Sequence, residues 1–234
     1  TTEVKVTVTN YGKTFVYVVR IHRVPNPVAD PSYGIPLALG VSFDTLTDSR
    51  DGQKYRTLEM RDGKIWMAEN LNFQADKSWP YERDIDTGAK YGRLYTWASA
   101  MGLDDSCNAS SCANQVAATQ RGICPTGWHV PTRTEWGTLV DSVGIRDAGS
   151  MLKSSGGWDA QGDGVDELGF RILPAGNRSG TGVFAEKGRG TAFWNTAEMD
   201  SGNAYNRGFK FDDPGASDLN APKASGLSLR CVKD

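Results

Sequence analysis

Five oxygen-bearing side chains fall within nine positions of the stretch GWDAQGDGVDELGF: Asp159, Gln161, Asp163, Asp166 and Glu167. Oxygen donors on a glycine-rich loop suit calcium, which takes about six to eight such ligands in an irregular shell. Set against an EF-hand loop, Asp159, Asp163 and Gly164 fit the first, fifth and sixth positions. Gln161 departs at the third, and Phe170 stands where the bidentate glutamate belongs. An EF-hand is therefore excluded, and a calcium loop of another kind is the expectation. Calcium is the one cofactor the chain suggests. The competing reading is an Asp/Gly turn whose carboxylates accept nearby backbone N–H groups.

A second candidate is aromatic. QADKSWPYERDID sets Trp79 and Tyr81 on either side of Pro80, among charges. Such surroundings are poor for core rings and suit a sugar face or a protein contact. The alternative is a loop aromatic folded back on the body. CPTGWHVPTRTEW, residues 124–136, holds two tryptophans, a histidine and a cysteine, but reads as scaffold. Trp136, Leu139, Val140 and Val143 share the stripe of one helix face. Trp128 follows a PTG turn and reads as core. His129 has no acidic or nucleophilic neighbour at a suggestive spacing, so a satisfied structural histidine is expected.

Cys107, Cys112, Cys124 and Cys231 allow three pairings. Their spacing and the separation of His22 from His129 do not match a zinc site. Cys107 and Cys112 lie in a small polar loop, DDSCNASSCAN, able to close on itself. We expect that local bridge together with Cys124–Cys231, and hence an oxidising compartment, extracellular or periplasmic. With bridged cysteines and two histidines, no nucleophile, base and orienting group remain to converge. The neighbours Asp166 and Glu167 do not by themselves set the carboxylate separation that glycoside hydrolysis requires. No catalytic residues are assigned, and a non-enzyme is expected. The net charge of −2 speaks against a nucleic-acid partner. No apolar run approaches the roughly 18 residues of a membrane span. The opening TTEVKV has neither an initiator methionine nor an apolar leader, and reads as a processed chain.

These residues need elements to hold them. EVKVTVT and TFVYVVRI alternate on either side of NYGK, so residues 1–24 are expected as a β-hairpin. Lys5, Lys13, Arg20 and Arg23 against Glu3 make it basic, while the rest of the chain is acidic. A lone hairpin is marginal in water, so it needs a partner. Residues 25–36, with Pro25, Pro27, Pro31 and Pro36, read as an extended linker, and residues 37–234 as the main domain. QKYRTLEM and KIWMAENL flank an Asp62-Gly63 turn, a second hairpin. A helix is expected from Leu94 through Trp97, Ala98 and Met101. Another starts at Thr132, with Glu135 completing a capping box. A short helix is expected over 147–154, and strands near 169–173, 191–196, 204–211 and 226–232.

The blocks TDSRDGQKYRTLEM, GKIWMAENLNF, KYGRLYTWASAM, CPTGWHVPTRTEWGTL, GFRILPAGNR and LSLRCVKD resemble, in order, the Fibrobacter succinogenes major paralogous domain. That family is similar to C-type-lectin-like folds, which also include formylglycine-generating enzymes. The resemblance implies an α+β, C-type-lectin-like domain with two main helices, an antiparallel sheet and long loops. It implies secretion and a cell-surface setting. The hairpin resembles the end of a cadherin-like or immunoglobulin-like β-sandwich. In lectin-like folds the late strands line the ligand surface. Carried over, this points to Asn177, Arg178, Trp194, Asn195, Glu198, Tyr205, Asn206 and Arg207 as ligand-binding groups beside Trp79 and Tyr81. Ordinary strand alternation, with the ring in the core and polar groups in water, is the alternative. The Glu-Pro-Asn triplet of animal lectins and the late cysteine pair of the sulfatase-modifying relatives are absent.

Two functions fit. One is a calcium-assisted adhesion or polysaccharide-binding module whose partner is a polysaccharide or a surface protein. The other is a structural subunit of a surface filament that self-associates through residues 1–24 by strand addition.

Overall fold

A computed structural model describes the backbone of residues 2–10 and 13–21 and the whole of residues 40–234. Strands β1 (Thr2–Asn10) and β2 (Lys13–Ile21) pair antiparallel along their full length, Thr2 opposite Ile21. The expected linker over 25–36 lies outside the described residues.

The body opens with β3 (Asp44–Thr47), β4 (Lys54–Glu59) and β5 (Ile65–Met67), an antiparallel meander. The Asp62-Gly63 turn between β4 and β5 forms as expected, with Gly63 at φ 76. Asp62 fixes it by accepting the Lys64 N–H at 3.1 Å and the Trp66 indole N–H at 3.0 Å. The short strands β6 (Ser78–Pro80) and β7 (Arg93–Tyr95) then enclose helix α1 (Ile85–Tyr91), capped by Asp84. The helix expected from Leu94 starts later, as α2 (Trp97–Met101). Leu94 sits in β7 opposite Trp79. Thr96 explains the shift, because its hydroxyl accepts the Ser99 N–H and so caps the helix there.

Strand β8 (Trp128–His129) leads into α3 (Arg133–Val143), whose capping box of Thr132 and Glu135 is complete. Trp136, Leu139, Val140 and Val143 are its buried face. The short α4 (Ala148–Leu152) follows. Strands β9 (Ala175–Arg178), β10 (Phe184–Lys187), β11 (Gly190–Glu198), β12 (Asn203–Lys210) and β13 (Ser217–Pro222) form a second sheet ordered β10-β9-β11-β12-β13. Its pairings are antiparallel except β9 with β11. The last strand, β14 (Val232–Lys233), returns between β5 and β8 in the first sheet.

Two expected strands are reduced. In 169–173 only Ile172 makes a bridge, to Lys153, because Arg171 is turned to a left-handed φ of 59. In 226–232, Gly226, Leu227 and Ser228 each bridge a different neighbour before β14 begins. The regular elements among the described residues are thus mostly antiparallel strands in curled sheets, with four short helices.

Two apolar clusters fill the body. One is aromatic: Trp66 and Trp136 lie 4.9 Å apart, and Phe193 is 5.3 Å from Trp136. The other gathers Tyr95, Trp97, Trp194, Met101 and the Cys124–Cys231 bridge. Both disulfides have the expected pairing, Cys107–Cys112 and Cys124–Cys231. No helix among the described residues is long and apolar enough to cross a membrane.

Candidate functional site

Strands β6 and β9 bring Trp79 and Arg178 together. The guanidinium carbon of Arg178 stands 3.8 Å from the Trp79 ring centroid, a cation–π contact. Gly226 permits this approach. It exchanges backbone hydrogen bonds with Arg178, and a Cβ there would lie 3.1 Å from the Arg178 Cβ and 3.2 Å from the Leu94 Cβ. Arg178 is half-buried and under-used: Nη1 reaches the Ser179 carbonyl at 3.3 Å, and Nε has no hydrogen-bond partner among the described residues. Burial, with the charge of Arg83, holds its pKa below the ordinary guanidinium value.

The pair lines a groove of 330 Å³ with Lys77, Asp105, Asn108 and Gly180. Lys77 and Asp105, an ion pair at 3.5 Å, also line an adjoining groove of 520 Å³ that continues past Ser99, Leu103 and Asp104. Asp105 and Asn108 are the two ends of a 3-10 turn, Asp105–Asn108, that enters the loop closed by Cys107–Cys112. That wall is anchored from behind. Glu198 accepts the Cys112 N–H at 2.9 Å and pairs with the fully buried Lys223 at 2.8 Å. Lys223 in turn donates to the Ser110 and Ser201 carbonyls. Burial opposes ionisation of Glu198, but the hydrogen bonds from Lys223, Ser111 and the Cys112 N–H, with the Lys223 charge, together outweigh it and hold the carboxyl below its usual pKa.

The remaining sequence candidates lie apart from this groove. Tyr81 is buried with its ring 5.2 Å from Phe184, and Asn177 is half-buried on β9 opposite Ala185. Trp194, Asn195 and Asn206 are buried as scaffold: the Trp194 indole donates to the Tyr95 carbonyl at 2.7 Å, and the Asn195 amide oxygen accepts the Ala197 N–H. Tyr205 and the buried Arg207 form a second cluster with Arg133 and Asp218. Arg133 lies 3.7 Å over the Tyr205 ring, and Asp218 accepts from Arg133 at 2.8 Å. Arg207 is 3.9 Å from Asp218.

The oxygen-rich stretch is spread over separate partners. Asp163 accepts the Trp158 N–H at 3.0 Å, and Asp166, buried, accepts the Arg171 N–H at 2.9 Å. Glu167 is exposed and 3.8 Å from Arg61, and Asp159 and Gln161 are exposed. Among the described residues no three His, Cys, Asp or Glu side chains gather as metal ligands. Gly164 serves packing in this loop, since a Cβ would fall 2.3 Å from the Lys153 carbonyl oxygen.

Sequence reasoning missed Lys77, Asp105 and Asn108. Asp105 and Asn108 are three apart in a polar cystine loop, which is the only signal the sequence carried for them. No curated protein and no solved structure matches the chain. A family model, that of the Fibrobacter succinogenes major domain, matches residues 47–233.

Proposed function

The chain belongs to the Fibrobacter succinogenes major domain family, and from that premise we propose that it is a secreted, cell-surface module that binds a polysaccharide strand in the groove of Lys77, Trp79 and Arg178. The observation that carries this reading is the Trp79–Arg178 stack, a ring and a guanidinium with unused donors in an open groove. A pyranose offers an apolar face to such a ring and hydroxyls to the donors around it. Asp105 and Asn108 supply acceptors on the facing wall. The continuation past the Lys77–Asp105 pair suits an extended chain better than a compact ligand.

We read the fold as C-type-lectin-like. In support, the C-terminal strand β14 returns beside β5 in the first hairpin of the body, so the two ends of the domain meet in one sheet. The two disulfides fit a secreted setting, where such bridges persist. We read the module as binding rather than catalytic. Both His129 nitrogens are engaged, and all four cysteines are bridged.

The test is retention on plant and bacterial polysaccharides, in calcium and then in chelator. We expect retention that survives the chelator, and that Trp79→Ala weakens by about tenfold or more, the size of an aromatic hot spot. Loss in chelator would move the site to Asp159–Glu167 and calcium. Absence of retention on every polymer would overturn the reading.

A second reading, as a structural subunit, is favoured by β1 and β2. They pair with each other and with no third strand among the described residues, so both outer edges are open to strand addition. Light scattering of the chain with and without residues 1–27 tests it. Unchanged monomeric mass in both forms removes the idea.

A further inference from the structure

Arg230 is a buried charge with no counter-charge in contact among the described residues. It is 1% exposed. Its Nε donates to the Asn70 amide oxygen at 2.9 Å, its Nη1 to the Phe170 and Met67 carbonyls, and its Nη2 to the Arg171 carbonyl at 2.9 Å. Every acceptor is neutral, and one Nη2 hydrogen is left over. Burying an ion without a paired opposite charge is strongly unfavourable. Burial accordingly draws the Arg230 pKa down to about 9. Of the acids nearby, Glu69 gives both oxygens to Arg56, at 2.7 and 2.5 Å, and Asp166 gives one oxygen to the Arg171 N–H while its other has no hydrogen-bond partner among the described residues.

Arg230 forms part of the wall of a cleft of 190 Å³ that shares no lining residue with the groove among the described residues. Tyr55, Lys54, Lys90 and Arg171 join it, and Glu69 is the only acid in the lining among the described residues. The Tyr55 oxygen accepts the Asn72 N–H at 3.1 Å, and its own proton meets no acceptor among the described residues. Burial raises the phenol's pKa, so that proton stays in place. Lys54 and Lys90 add two flexible ammonium groups. Among the described residues, donors therefore converge with one compensated carboxylate between them.

We propose that this cleft is an anion site that takes the carboxylate of a single sugar-acid residue, with Arg230, Tyr55, Lys54 and Lys90 as its donors. The volume is below the roughly 300 Å³ at which pockets for larger organic ligands begin, so one monosaccharide-sized group fits and a strand does not. The hydrogen-bonded amides of Asn72 and Gln53, 2.9 Å apart, line it and suit hydroxyl groups. Among the described residues its aliphatic lining is limited to Ala68, Ala89 and Leu173, too little for a peptide side chain.

Calorimetric titration of the full chain with sodium glucuronate, glucose, N-acetylglycine and inorganic phosphate tests this. Glucuronate is expected to bind saturably and glucose not at all. The double variant Lys54→Gln/Lys90→Gln should weaken glucuronate by about tenfold, and added salt should narrow that gap, because exposed ammonium groups act through a screened field. Trp79→Ala should leave glucuronate binding unchanged, which separates this site from the polysaccharide groove. No saturable heat with glucuronate, or the same affinity in the double variant with its near-UV dichroism intact, would overturn the site. Phosphate or N-acetylglycine binding as tightly as glucuronate would overturn the sugar-acid assignment.

Discussion

His129 lies between two carboxylates, 2.8 Å from Asp234 and 3.0 Å from Glu135. The hydrogen bond to Glu135 is the largest influence on the ring; with Asp234 it overcomes burial and raises the imidazole pKa. Burial opposes ionisation of Glu135, but the bonds from His129, Thr132 and Lys64 outweigh it and take the pKa down to about 2. A raised histidine contributes stability below its unfolded pKa of about 6.5, lost as pH climbs through the folded value. A lowered glutamate contributes stability above about 4.3, lost as pH falls toward its folded value. The network is therefore strongest between about pH 4.3 and 6.5. His129→Gln should flatten the fall in melting temperature on the alkaline side, and an unchanged slope there would contradict this. Asp166 has the opposite sign for an acid. Burial raises its pKa to about 7, so its ionisation destabilises the fold as pH rises from 3.8 towards that value. Asp166→Asn keeps an oxygen for the Arg171 N–H and should stabilise the chain above neutral pH while changing little in acid. Destabilisation above neutral pH would mean that the buried guanidinium groups use the charge. The structural role of His129 was legible, but its partners were not. Asp234 is 105 positions away, and Glu135 was visible only as a cap.

At the scale of elements, what was legible is what short-range chemistry decides. The capping box at Thr132, the Asp62-Gly63 turn and the long strands of the second sheet follow from neighbouring residues. So does the local cystine loop. Trp79 and Arg178 were each visible as candidates, but their contact depends on Gly226, which tertiary bridging places beside them. Strands of two or three residues such as β6, β7 and β14 have no period long enough to read. The two disulfides also separate by scale. Chain-entropy arguments give about 2 kcal/mol for closing the Cys107–Cys112 separation of 5 and about 5 kcal/mol for the Cys124–Cys231 separation of 107. Urea unfolding of Cys107→Ser/Cys112→Ser should therefore show the smaller loss, and Cys124→Ser/Cys231→Ser the larger. The same pair of variants should separate stability from binding, since the small loop is a wall of the groove. Comparable losses in both would mean that native contacts, not loop length, dominate.

For the whole molecule, the decisive segment is the one that failed to become a strand. Gly226 bonds to Arg178, Leu227 to Tyr95, and the Ser228 carbonyl accepts from Trp194. The Leu229 and Cys231 carbonyls then accept from Leu71 and Met67. In seven residues the chain passes from the second sheet to the first, changing neighbours too often to form a regular ladder. Leu227, Leu229 and Cys231 enter the cluster around Trp97 and Trp194, while Val232 enters the one around Trp66 and Trp136. A segment shared by both clusters couples them, so the body should unfold as one unit. Leu229→Ala empties a fully buried site and should lower stability by about 2–5 kcal/mol. The stronger expectation concerns how the loss is distributed. Tryptophans stand in both clusters, so fluorescence reports on both and far-ultraviolet dichroism on the sheets. The two curves should shift together and remain superimposed, as a single transition requires. If they part in the variant, the clusters unfold separately, and residues 226–232 lie between two units instead of joining them.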